Sequence, residues 1–250
     1  MAFGFGICLD QLDQLGQLEI FVKDFAILEK KLDTVFKDRN LLTQAFIHRS
    51  YLNEHPDFHL GHNERLEFLG DAVIEFVVTE YLYEHYPSSP EGELTNWRAS
   101  LVNAIILSEI ARGLNFEEYL YLSRGEAEDR GKARQYILAN VIEAFIGALY
   151  LDRGIETVRV FVGTYILTRL PEILEKKLWM DPKSRFQEEA QERNGVTPSY
   201  KVLGEEGPDH AKNFTVGIYL HDELVAKGSG LSKQEAQVDA AKKALEVKKW

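Results

Sequence analysis

The hydrophobic period of this chain changes once, near residue 181, and that change constrains the fold more than any other feature. Before it, apolar residues recur at helical spacing, first at Leu41, Leu42, Ala45 and Phe46, then at Leu66, Leu69, Val73, Phe76 and Val77. Pro87 and Pro90, with Ser88 and Ser89 between them, close the second of these helices. The pattern predicts further helices from about Glu93 to Ala111 and from about Arg134 to Asp152. Gly154 separates the latter from a helix near Glu156 to Thr168. Strand-like alternation is scarce throughout this part.

After the change, Asp181-Pro182 reads as an N-cap and first helical residue, and Asn194-Gly195 as a helix stop. Three strands are expected, over Ser199 to Leu203, Asn213 to Leu220, and Glu223 to Lys227, with a turn-rich loop from Gly204 to His210. Ser232 and Glu235 form a capping box that opens a last helix with a small-residue face at Ala236, Ala240, Ala241 and Ala244. The expected organisation is an N-terminal extension over residues 1–26, an all-α domain over 27–174, a linker over 175–181, and a small α+β domain of order α-β-β-β-α over 182–250. Leu12, Leu15 and Leu18 suggest a short amphipathic helix in the extension.

Charge and cysteine content narrow the setting. The single cysteine, Cys8, cannot close an internal disulfide, so a reducing compartment is expected. No apolar run reaches the roughly 20 residues of a membrane span, and the apolar start lacks the basic flank of a secretory signal. Cytoplasmic placement with no membrane partner is the expectation. The net charge is −11, yet residues 182–250 carry 11 basic and 11 acidic side chains, so the excess acid lies in the helical part. That excess either keeps the chain soluble or includes carboxylates that hold cations.

Two acidic motifs bear on this choice. Glu67 and Asp71 are four apart, so they share one helix face, and like charges at that spacing repel. They stand in an apolar stretch, where an uncompensated charge is costly. Asn140 and Glu143 repeat the theme three apart in a second apolar stretch. Two helices presenting oxygen ligands to each other can hold a hard cation such as magnesium, which suits phosphodiester hydrolysis. Spacing alone slightly favours ordinary surface acids, since such pairs are common. A di-iron bundle is disfavoured, because no Glu is followed three residues later by His.

The residues around these acids are more specific. The run His62-Asn63-Glu64-Arg65-Leu66-Glu67-Phe68-Leu69-Gly70-Asp71-Ala72-Val73 resembles the signature of the ribonuclease III family. Ala45 to Tyr51, Glu91 to Thr95, Arg98 to Asn103, and Glu143 to Asp152 are similar to further blocks of that family, in the same order. The C-terminal unit resembles the double-stranded-RNA-binding domain that follows in bacterial members. The resemblance covers about residues 27 to 247 and implies an all-α catalytic domain working as a homodimer. The implied enzyme is a magnesium-dependent endoribonuclease, with Mn²⁺ as a substitute. It cuts both strands of double-stranded RNA, leaves 5′-phosphate and 3′-hydroxyl ends with short 3′ overhangs, and processes rRNA and mRNA.

Carried over by position, the resemblance makes Asp71 and Glu143 catalytic and Glu67, Asp71, Asn140 and Glu143 metal ligands. Glu64 and Glu91 match positions nearer the RNA or the subunit interface. Gly70 allows close approach of another helix. Gln187 and Glu188, His210 in its loop, and Ser232, Lys233 and Gln234 match RNA-contacting positions. Asn140 departs from the family's usual Asp, and Gln234 and Gln237 stand where lysines are common. The first departure keeps a second reading open, a double-stranded-RNA-binding protein with an impaired nuclease centre. A hydrolase for another phosphodiester is the third.

Overall fold

The computed structural model describes residues 23–128, 131–208 and 212–250. Residues 1–22, which hold most of the extension with its leucines and Cys8, and His210 therefore lie outside the described residues. Ten helices are described before residue 181: α1 (Ala26–Lys31), α2 (Arg39–Ala45), α3 (Arg49–Glu54), α4 (Glu64–His85), α5 (Glu91–Leu101), α6 (Ala104–Gly113), α7 (Arg124–Glu128), α8 (Lys132–Arg153), α9 (Ile155–Tyr165) and α10 (Leu170–Glu175). None of the described helices is long and apolar enough to cross a membrane.

The core forms around α4 and α8, the two longest helices. Ile74, Val78, Leu138, Ile142 and Phe145 are fully buried between them and their neighbours, each such side chain contributing roughly 1.5–3 kcal/mol of transfer free energy. Phe145 meets Phe36, Phe46, Phe116 and Phe161 at ring-centroid distances of 5.2 to 6.4 Å, spacing suited to edge and tilted aromatic packing. Asn63 anchors the start of α4: its backbone N–H donates to Ile47 O and its side-chain amide to Ala45 O. The Asp152 carboxylate, near the end of α8, accepts from the backbone N–H groups of Lys37 and Asp38.

The single helix expected from Glu93 to Ala111 is two. Helix α5 ends at Leu101, and the Asn103 side chain accepts from the N–H groups of Ile105 and Ile106, which makes it the N-cap of α6. The helix after Gly154 ends at Tyr165 and continues as a 3₁₀ turn over Leu167–Arg169 before α10.

The C-terminal unit has the expected order: α11 (Pro182–Asn194), β1 (Ser199–Glu206), β2 (Asn213–Leu220), β3 (Glu223–Gly230) and α12 (Lys233–Lys248). Asp181 caps α11 through Lys183 N–H and Ser184 N–H, and Gly195 ends it in the left-handed region at φ 67°. The strands form one antiparallel sheet, β1-β2-β3. Strand β1 runs on to Glu206, three residues into the segment expected to be loop, because a register irregularity between Val202 and Gly204 absorbs Leu203 and lets pairing resume. Strand β3 likewise extends to Gly230. Phe186, Ala190, Ile218, Ala240, Ala241 and Ala244 fill the space between sheet and helices. Gly228 lies so close under α12 that a Cβ there would overlap the backbone of Ala236 and Ala240.

The chain between α10 and α11 is tied at both ends. Trp179 packs edge-on against Trp97 of α5 at 6.4 Å, and Lys177 Nζ lies 3.3 Å from the buried Glu189 carboxylate of α11.

Candidate active site

The candidate centre forms where α4 crosses α8. A Cβ at Gly70 would overlap the carbonyl oxygen of Glu143, and a Cβ at Gly147 would overlap that of Leu66. Two glycines from two helices thus let the backbones approach closely. The close approach brings Glu67 and Asp71, on one side of Gly70, against Asn140 and Glu143 on α8. Gly70 therefore serves packing and the site together. Gly147 was not among the residues singled out from sequence; its only signal is a glycine inside an apolar helix.

The electrostatics show how near the acids are. Burial pushes the Glu143 carboxyl up to about 7, and the facing charges of Asp71 and Glu67 add to the shift. Burial likewise raises Glu67, helped by Glu64 and by Asp71, while a hydrogen bond from the Asn140 side chain opposes the rise. An effect that favours the carboxylate is one that offers it a donor, so the amide N–H side of Asn140 is turned toward Glu67. An Asp carboxylate at position 140 could offer none. No Lys, Arg or His is among the groups that shift either carboxyl. Asp71 lies exposed at the edge of the group, while Glu67, Asn140 and Glu143 are half-buried.

This donor set suits a hard divalent cation: three carboxylates and one amide oxygen, short of positive charge. Among the described residues, however, no three His, Cys, Asp or Glu side chains are already drawn together closely enough to enclose a metal ion. The donors face one another without closing.

The two other acids, Glu64 and Glu91, fall in different places. Glu64 is one turn before Glu67 and contributes to its raised pKa, yet its own carboxylate pairs with Arg49 at 3.3 Å and lies 3.6 Å from His62 Nδ1. Glu91 opens α5, accepts from Thr95 Oγ1, and lines a hollow with Thr79, Tyr83, Tyr86 and Arg98. Of these, Thr79 and Tyr83 are on α4 and lie about 12 to 24 Å along the helix from Asp71 and Glu67, at about 1.5 Å per residue. Glu91 is thus placed apart from the carboxylates of its own chain.

Of the expected RNA contacts, Gln187 and Glu188 are exposed on α11. Ser232 caps α12 by accepting from Glu235 N–H, while the Glu235 carboxylate accepts from Leu231 N–H, one residue before the expected partner. Lys233 and Gln234 are exposed in the first turn of α12. Gln237 accepts from Lys183 Nζ at 2.7 Å, so an ammonium from α11 reaches this part of α12.

An apolar face also remains open beside the centre. Phe68 is 82% exposed, and Phe76, Leu151 and Val160 are more than half exposed. Ala72, Val73, Phe76, Tyr150 and Leu151 line a shallow hollow there.

Comparison with known proteins follows the same division. Residues 38–170 match the family described as Ribonuclease-III-like, and residues 182–248 match the double-stranded RNA binding motif. The chain is 45% identical over 222 residues to Ribonuclease 3 of Chloroflexus aurantiacus, covering 88% of this chain and 90% of that protein. It is 41% identical over 228 residues to Ribonuclease 3 of Nitratiruptor, covering 91% and 98% respectively. A solved structure of the nuclease domain of ribonuclease III from Campylobacter jejuni, concerned with structural flexibility in a region involved in dimer formation, superposes with a TM-score of 0.54. It is 38% identical and covers 59% of this chain and 99% of that one.

Proposed function

The chain belongs to the ribonuclease III family, and from that premise we propose that it is an endoribonuclease that cuts both strands of double-stranded RNA at the centre between α4 and α8. The observation that carries the reading is the cation-deficient meeting of Glu67, Asp71 and Glu143 at the Gly70 crossing, in a chain with a double-stranded RNA binding motif.

A divalent cation, Mg²⁺ or in its place Mn²⁺, would be held by Glu67, Asp71, Asn140 and Glu143. When bound it polarises the scissile phosphoryl oxygen and lowers the pKa of water. The remaining work falls to the chain's own groups. The α8 backbone fixes Glu143 against α4. Asn140 turns its amide N–H side toward the Glu67 carboxylate, leaving its own amide oxygen for the cation. Asp71, at the solvent edge, is placed to orient the attacking water and accept its proton. Glu143 must itself give up a proton before it can serve as a ligand, so cation affinity falls as pH drops below about 7.

The RNA is held by shape. A-form duplexes expose 2′-hydroxyls and phosphates across a wide minor groove, and a domain of this kind spans about 16 base pairs. In our reading Gln187 and Glu188 reach 2′-hydroxyls. Ser232, Lys233 and Gln234 meet phosphates at the start of α12, where free backbone N–H groups favour anions. The open apolar face around Phe68 supports homodimerisation through the catalytic domain, which would set two centres along one duplex and give 3′-overhanging cuts with 5′-phosphate ends. Precursors of rRNA and structured mRNA are the substrates this chemistry fits, and the single cysteine suits the cytoplasm.

The test is cleavage of a long RNA duplex, single-stranded RNA and duplex DNA, each with Mg²⁺ and with a chelator. Cutting of the RNA duplex alone, and only with Mg²⁺, is expected. Cutting of duplex DNA, or no cutting of any substrate, would overturn the reading.

A further inference from the structure

Residues 182–250 carry no net charge, although phosphate binding draws its affinity from cations. Where the acids stand on the phosphate side of this unit therefore matters. One stands among the lysines. Glu205, near the end of β1, puts Oε1 at 3.6 Å from Lys233 Nζ and Oε2 at 3.6 Å from Lys212 Nζ. The two ammonium groups come from different segments, the residue before β2 and the first residue of α12. The same Lys233 ammonium lies 5.6 Å from the centre of the Phe214 ring, and Phe214 is the cross-strand partner of Glu205. Strand pairing thus fixes the Glu205 backbone beside two cations that have separate anchors, and its carboxylate lies between them.

We infer that Glu205 occupies the place of an RNA phosphate between Lys212 and Lys233, and that this internal anion sets the affinity of the unit for double-stranded RNA below what its lysines would give. The inference rests on the reading of Lys233 as a phosphate contact. Both contacts exceed hydrogen-bond length, and the carboxylate is 39% exposed. Such a solvated pair is weak and yields readily to an incoming phosphate. The displaced carboxylate can swing only as far as its side chain reaches, because β1 holds its backbone. It stays beside the bound phosphate as a like charge, and it cancels part of the counterion release that the two lysines would otherwise produce.

The experiment is duplex-RNA binding by fluorescence anisotropy, with the full chain in a chelator to prevent cutting, over a series of salt concentrations. Glu205→Gln keeps the shape of the side chain and removes its charge. It should bind threefold to tenfold more tightly at low salt and steepen the salt dependence by up to about one counterion. Glu192→Gln makes the same charge change near the end of α11 and should move affinity less than twofold. Lys233→Ala should weaken binding, and in that background Glu205→Gln should recover less than half of its gain. If Lys233→Ala weakens binding but Glu205→Gln leaves it unchanged or weaker, the inference fails and the phosphate reading of Lys233 stands. If Lys233→Ala binds as the wild type does, the phosphate reading fails and takes the inference with it. If Glu192→Gln tightens binding as much as Glu205→Gln, the effect is one of overall charge and the inference is overturned.

Discussion

Replacing Glu143 with Gln should make the metal-free protein more stable at alkaline pH while abolishing cleavage. In the folded chain this carboxyl is raised from 4.5 to about 7, first by burial and then by Asp71 and Glu67. A raised acid binds its proton more tightly in the folded state. Its contribution is therefore intact below about pH 4.5 and lost as pH climbs through about 7. At about 1.4 kcal/mol per pKa unit the full loss would be roughly 3 kcal/mol. Glu143 is partly exposed, so solvent screening reduces this to about 1–2 kcal/mol. Gln cannot ionise and escapes the loss. Near pH 8.5 in a chelator, Glu143→Gln should melt about 2–8 °C above wild type, at about 2–4 °C per kcal/mol for a chain of this size. At pH 5 only about a quarter of the difference should remain. Thermal unfolding followed by helical circular dichroism reads both points. Equal melting at pH 8.5, or a difference that does not change with pH, would refute the idea that this carboxyl is strained by its neighbours.

Three further outcomes follow from the same geometry. Gly70→Ala drives a methyl group into the α8 backbone and should cost about 3 kcal/mol or more, read as a lowered urea midpoint, with cleavage lost in parallel. Asn140→Asp adds a fourth carboxylate and removes the N–H turned toward Glu67. It should lower metal-free stability at pH 8 by roughly 1 kcal/mol and tighten Mg²⁺ binding, measured as a larger rise in melting temperature per Mg²⁺ added. Cleavage by Asn140→Asp but none by wild type would instead identify this chain as an impaired nuclease. Phe68→Asp places a charge on the open apolar face and should shift the chain from dimer to monomer in sedimentation.

Much of this arrangement can be read from the sequence, for reasons that differ by element. Helices α4 and α8 announce themselves because their apolar residues repeat over many turns, and the acids inside them are conspicuous against that pattern. The order of the C-terminal unit is legible from the Asp181-Pro182 start, the Gly195 stop and the alternation in β2. The break between α5 and α6 is hidden because Asn103 looks like a surface residue until its side chain is seen to cap Ile105 and Ile106. The continuation of β1 is hidden because Gly204, Glu205 and Glu206 have turn composition, and only the irregularity at Leu203 shows how pairing resumes. The partnership of Gly70 with Gly147 is a tertiary fact with no local signature. The separation of Glu91 from the carboxylates depends on distance along α4, which its motif does not encode.

The central claim is that the acids gathered at the α4–α8 crossing do the cutting, separately from the unit that holds the RNA. The most direct measurement compares Asp71→Asn and Glu143→Gln with wild type for duplex-RNA cleavage in Mg²⁺ and for duplex-RNA binding in a chelator. The account predicts that cleavage falls by at least about a hundredfold in both variants, consistent with the weight of a group acting on charge in the transition state, while binding stays within about threefold of wild type. Undiminished cleavage by either variant would contradict it.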